Sequence, residues 1–167
     1  ESPIPASVVY ADGHCYLLTH DGDLFCVDGA TMSISWRSAT GGDATSAPLL
    51  LKNAVLTCSS AGEVAVFDRE SGQEQKRLPA DLRLAPLAAF SADVACGLSK
   101  RGKLYLFPAV HKYDTLPLED FQCDVENAPV AAEGVIAFAD DHGGVWRLEL
   151  PPAFVRTVLS GGGNDKD

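Results

Sequence analysis

"THDGDLFCVD" fills residues 19–28, an Asp-Gly turn leading into an apolar stretch that ends in aspartate. Three relatives follow it: "SSAGEVAVFD" at 59–68, "SKRGKLYLFP" at 99–108 and "DDHGGVWRLE" at 140–149. Their turn glycines, Gly22, Gly62, Gly102 and Gly143, stand 40, 40 and 41 residues apart. A fixed period of this length marks a repeat architecture, in which each unit buries its apolar face against its neighbours.

The second repeat shows the unit most plainly. "APLLLKN" (47–53) is a first strand and "AVLTCSS" (54–60) a second. Ala61-Gly62 turns the chain, "EVAVFD" (63–68) returns it, "RESG" (69–72) turns it again, and "QEQKRL" (73–78) is a polar last strand. Glycine supplies the positive φ that such turns require. The strands are rich in Val, Leu, Phe and Tyr with no helical period. The middle strands are apolar on both faces, so both faces must be covered. The gradient from apolar inner strands to a polar outer strand is that of a blade sandwiched between two others in a β-propeller, WD40-like in layout. The expectation is an all-β chain of about four four-stranded antiparallel blades, at 7–40, 47–80, 85–118 and 127–160, with a flexible tail at 161–167. Pro108, Pro117, Pro151 and Pro152 degrade the last strands of repeats three and four, which sheet edges tolerate. No helix is needed anywhere.

Composition narrows the function. The chain has 167 residues and a net charge of −10, which repels nucleic-acid backbones and anionic membranes. No stretch is long and apolar enough to span a bilayer, and no secretory leader is visible. Glu1 in place of an initiating methionine implies a piece of a longer or processed chain. Lys76, Arg77, Arg83, Lys100, Arg101, Lys103 and Lys112 concentrate in the middle, while 114–167 is acidic. This is either a solvated surface or a patch that meets an acidic one, such as another copy's C-terminal half. The five cysteines, Cys15, Cys26, Cys58, Cys96 and Cys123, fit no metal template. Most align with core strand positions, which leans towards reduced thiols and a cytoplasmic setting.

"DGDLFCVDGATMSISW" and "AGEVAVFDRESGQEQK" resemble the PQQ-like repeat, Gly-x-(Leu/Val)-x-x-x-Asp-x-x-(Thr/Ser)-Gly-x-x-x-Trp. Repeats one and two match well and the other two in part. Residue 32 is Met where the pattern has Gly, and only the first repeat keeps the Trp. The resemblance implies a propeller usually of seven or eight blades, so four blades make about half a ring. The rest would come from missing sequence, a partner or a second copy; a closed four-blade ring is the other option. It also implies that Trp36 packs in the core or between blades. Relatives with this repeat include outer-membrane assembly lipoproteins, luminal domains of stress sensors and the C-terminus of an acyl-activating enzyme.

The quinone-dependent members use an adjacent Cys-Cys pair and a full axial site, and neither is present, so no cofactor, metal or catalytic residue is assigned. His20 and His142 flank corresponding turns among Asp21, Asp23, Asp140 and Asp141, as polar turn residues or as a metal or acid–base cluster. Trp146, beside Arg147, is a candidate hot spot for a partner. With His20, His142 and Arg101 these form the candidate interaction set. The expected function is a non-catalytic scaffold for protein–protein interaction or self-association. The alternative is the accessory propeller of a larger acyl-activating or quinoprotein-type enzyme.

Overall fold

The computed structural model describes residues 8–79, 86–109, 115–125, 127–132 and 134–155. Blade 1 is β1 (Val8–Ala11), β2 (His14–Leu18), β3 (Asp23–Asp28) and β4 (Ile34–Ala39). Blade 2 is β5 (Leu49–Leu50), β6 (Ala54–Cys58), β7 (Glu63–Asp68) and β8 (Glu74–Pro79). Blade 3 is β9 (Ala88–Ala89), β10 (Val94–Leu98), β11 (Lys103–Pro108) and β12 (Leu116–Asp120). Blade 4 is β13 (Val130–Ala132), β14 (Val135–Ala139) and β15 (Val145–Glu149). Each sheet is an antiparallel meander in chain order.

The four repeat glycines occupy the same bend. Gly22, Gly62, Gly102 and Gly143 all have φ between 79° and 84°. Each donates its N–H to the carbonyl three residues back, on Thr19, Ser59, Ser99 and Asp140. The second conserved turn is built by aspartate. Asp28 Oδ1 accepts from the N–H groups of Ala30 and Thr31 and from the Thr31 hydroxyl. Asp68 Oδ1 does the same with Glu70, Ser71 and the Ser71 hydroxyl. These bonds hold both carboxyls below the usual carboxylate range, with Thr31 and Ser71 as the leading causes. They are the reason the repeat spells Asp-x-x-(Thr/Ser).

Alternation along each strand gives every blade two faces. The face towards the next blade in sequence is here called its front, the other its back. Tyr16, Leu18, Leu24 and Cys26 on the front of blade 1 pack with Val55, Ala65 and Phe67 on the back of blade 2. Leu56, Cys58, Val64 and Val66 pack with Ala95, Tyr105 and Phe107 of blade 3. Cys96, Leu98, Leu104 and Leu106 pack with Ile136 and Phe138 of blade 4. The core is therefore three seams between four sheets, not one central layer.

Two expectations need correction in blade 4. Its described residues form a three-stranded sheet, and residues 152–155 are a helical turn where a strand was expected. Pro152 opens that turn, at the position where its missing N–H costs nothing, and the Val155 N–H closes it on the Pro151 carbonyl. Residues 156–160, the tail 161–167, Arg83 and Lys112 lie outside the described residues. In blade 3 the bulge falls between Leu104 and Tyr105, while blades 1 and 2 share one between Cys26 and Val27 and between Val66 and Phe67. Pro117, opposite Tyr105, has no N–H to give the ladder.

Candidate functional site

The β2–β3, β10–β11 and β14–β15 turns of blades 1, 3 and 4 carry His20, Arg101 and His142. Short linkers fix their positions. Ala44 donates to the His20 carbonyl while Ser60 donates to the Asp43 carbonyl. Val125 donates to the Lys100 carbonyl while Asp141 donates to the Asp124 carbonyl. Each linker thus clips the turn of one blade to the turn of the next. Arg101 and His142 consequently line one recess of about 510 Å³, with Asp120, Gln122, Cys123 and Asp124. His20 is exposed and sits 4.0 Å from its own neighbour Asp21.

Asp140, Asp141 and His142 place three potential ligand atoms within 4.8 Å of one another. Both oxygens of Asp140 are already committed. Asp140 Oδ1 accepts the N–H groups of His142 and Gly144, and Oδ2 accepts the Trp146 indole N–H at 2.8 Å. The indole bond is the main reason the Asp140 carboxyl is lowered. Asp141 lies 2.6 Å from His142 Nδ1.

Trp146 and Arg147 are not brought together. Adjacent strand residues point to opposite faces. Trp146 turns back towards blade 3, where its ring is 5.4 Å from Phe121 and stacked at 6.4 Å on Phe138. Arg147 is on the front face, paired with Glu149. Trp146, the candidate hot spot, and its neighbour Arg147 therefore lie on opposite faces of the sheet. Trp36 does dock between blades: its indole N–H reaches the Arg69 carbonyl at 3.2 Å, and its ring covers Gly72.

A larger recess of about 910 Å³ opens at the junction of blades 1 and 2. Arg69 lies in it, donating to the Tyr16 hydroxyl at 3.1 Å and to Asp12 at 2.7 Å. Burial pushes the Tyr16 phenol up against the opposing pull of Arg69. This bridge was not anticipated from sequence, although a Tyr in the middle of a core strand and an Arg directly after the turn aspartate were visible signals. Burial also raises the Cys26 thiol, and those of Cys58 and Cys96 to about 12, so these three stay protonated at neutral pH and act as core hydrophobes.

The outermost faces are open. On the back of blade 1 the register pairs Cys15 with Val27 and Leu17 with Phe25. The equivalent pairs are Val55 with Phe67 and Thr57 with Ala65 in blade 2. Those four are at most 2% exposed, whereas the blade 1 residues are only half-buried. Val8, Tyr10 and Ile34 flank them at 52%, 65% and 61% exposure. On the front of blade 4, Ala137 pairs with Arg147 and Ala139 with Val145. Val145 is 81% exposed and Val130 70%.

Comparison with known proteins agrees with this architecture. BamB from Moraxella catarrhalis superimposes with a TM-score of 0.73 at 15% identity, over 86% of this chain and 42% of that one. The computationally designed Ika4 protein gives 0.78 at 18% identity over 90% and 93%, and the designed Ika8 protein 0.75 at 18% over 90% and 47%. The chain spans less than half the length of BamB. Among curated proteins no sequence matches. Residues 1–112 match the PQQ_2 family, described as outer membrane protein assembly factor BamB. The chain is a β-propeller and belongs to that family.

Proposed function

We propose that the chain is a non-catalytic propeller scaffold that works by being bound, and that its binding surface is the pair of open end faces. The observation that carries this reading is the back of blade 1. Cys15, Leu17, Phe25 and Val27 hold register positions that blades 2 and 3 bury, and here they face water with Val8, Tyr10 and Ile34 around them. A contiguous apolar sheet face of this kind marks an interaction site. The description of the matched family as an assembly factor supports a role in protein complexes.

The test is native mass spectrometry of the protein isolated gently from cells that make it, beside a Phe25→Lys variant. The expected result is a stoichiometric protein complex that the substitution dissolves, with the far-ultraviolet dichroism unchanged. A complex that survives the substitution, or a lone chain in both samples, overturns the scaffold reading. A second arm adds calcium and pyrroloquinoline quinone and follows dye reduction. No turnover is expected, and turnover would favour the accessory-enzyme alternative.

A further inference from the structure

We infer that the occupant of the open faces is a second copy of this chain, the front of blade 4 in each copy seating on the back of blade 1 in the other. The result is one ring of eight sheets with a two-fold axis. The inference rests on the scaffold reading and names its partner.

Three observations carry it. The first is curvature. The arc superimposes on under half of the BamB chain and of the Ika8 chain, so its blade-to-blade turn is that of a ring about twice its size. It also matches 93% of the Ika4 chain, so a separate chain of about this length carries the same arc. One more arc of the same size would close such a ring.

The second is volume. In the seam between blades 1 and 2 the large front residues Leu18 and Leu24, paired with each other, share one cluster with the small back residue Ala65, which pairs with Thr57. The open faces invert that arrangement. The front of blade 4 offers Ala139 and Val145 where blades 1 and 3 have Leu18 with Leu24 and Leu98 with Leu104. The back of blade 1 offers Leu17 and Phe25 where blade 2 has Thr57 and Ala65. A small front suits a bulky back as the large front of blade 1 suits the small Ala65 of blade 2, whereas the seam between blades 3 and 4 sets Leu98 and Leu104 against the bulky Phe138.

The third is charge. Arg147 occupies the register position of Cys26, Val66 and Leu106, each at most 2% exposed. A blade seated there would cover a guanidinium, which needs a carboxylate and an aromatic face. Glu149 supplies the first in the same chain. The Phe25 ring of the other copy supplies the second once Arg37, which stands over it at 5.3 Å and pairs with Asp23, yields its place to Arg147. The two faces of one seam are therefore different surfaces of the molecule. Head-to-tail contact closes after two copies, because each brings half the ring.

The experiment is sedimentation equilibrium of the purified 167-residue chain alone, with Phe25→Lys and Ala139→Arg variants measured singly and mixed. Ala139 is exposed in the single chain, so Ala139→Arg leaves its fold intact, and thermal melts followed by dichroism check both variants. The wild-type chain is expected to be a dimer. Each variant alone spoils both seams and raises the dissociation constant about a hundredfold. Mixing them leaves one seam intact, the front of the Phe25→Lys copy against the back of the Ala139→Arg copy, and recovers a heterodimer at least tenfold tighter than either variant alone. A folded wild-type monomer at about 100 μM overturns the inference, as does a dimer that ignores both substitutions. So does a failure of the mixture to recover, which would mean that like faces meet like. A monomer in isolation that still enters a Phe25-dependent complex in cells would remove the second copy and leave the scaffold reading standing.

Discussion

The seam between blades 1 and 2 and the seam between blades 3 and 4 each use a tryptophan, and they use it in opposite directions. Trp36 comes from the outer strand β4 and reaches forward onto the β7–β8 turn of blade 2, where its ring covers Gly72. Ser38 strengthens the same contact by donating to the Gly72 carbonyl at 2.5 Å. Trp146 comes from the third strand β15 and reaches backward to blade 3, into an edge-and-stack cluster with Phe121 and Phe138. The first device belongs to the repeat: the glycine exists so that the tryptophan fits. The second is assembled from residues that recur nowhere else in the chain. One architecture can therefore be locked either by its repeat grammar or by local aromatic packing.

If the forward tryptophan is the stronger lock, its removal should cost more. Trp36→Ala is expected to destabilise the chain by about 3 kcal/mol, at the low end for a large aromatic because the ring is only half-buried. Trp146→Ala, with a side chain 36% exposed, is expected to cost about 1–2 kcal/mol. Urea unfolding of both variants under the same conditions makes the comparison. Equal losses would mean that the repeat signature adds nothing beyond aromatic area.

Gly72 sharpens the point. A Cβ there would lie 2.5 Å from the Trp36 ring, and its φ of +71° is costly for any L side chain. Gly72→Ala should cost about 2 kcal/mol in the native chain and about 1 kcal/mol less in a Trp36→Ala background, because only the steric part disappears. A double-mutant cycle measures that coupling. Additive losses would show that the glycine serves its backbone conformation alone.

These elements also mark how far the sequence could be read. The two turn families were legible because their hydrogen bonds join residues at fixed short offsets, so Asp28 with Thr31 and Asp68 with Ser71 leave the same mark twice. The open back of blade 1 was foreseeable because an apolar face with no sequence neighbour needs a partner. The recess shared by Arg101 and His142 was not, since it depends on backbone bonds from the Asp124–Val125 linker, which no side-chain pattern records. Trp146 and Arg147 were grouped by adjacency, although strand alternation already separates them. The helical turn at 152–155 replaces a strand because the prolines that were read as edge irregularity also favour helix initiation.

The smallest effect expected concerns position 32, where blade 1 departs from the glycine of blade 2 in the same turn. Met32 and Gly72 are equivalents: each donates to the carbonyl of its turn aspartate at 2.9 Å. Both adopt positive φ, +58° at Met32 and +71° at Gly72. The left-handed region costs an L residue roughly 1–2 kcal/mol, which glycine avoids. Met32 gains nothing from packing in return, since its side chain is 74% exposed. Met32→Gly therefore relieves the strain but pays roughly 0.5–1 kcal/mol in unfolded-chain entropy. The net expectation is a gain of about 0.5–1 kcal/mol, or about 1–4 °C in melting temperature for a chain of this size. Neither tryptophan of the sequence lies against position 32, since Trp36 covers Gly72 and Trp146 packs on Phe121 and Phe138, so the methionine displaces no ring. A melting temperature that falls on Met32→Gly would mean that the side chain is held by a contact that the isolated chain does not contain.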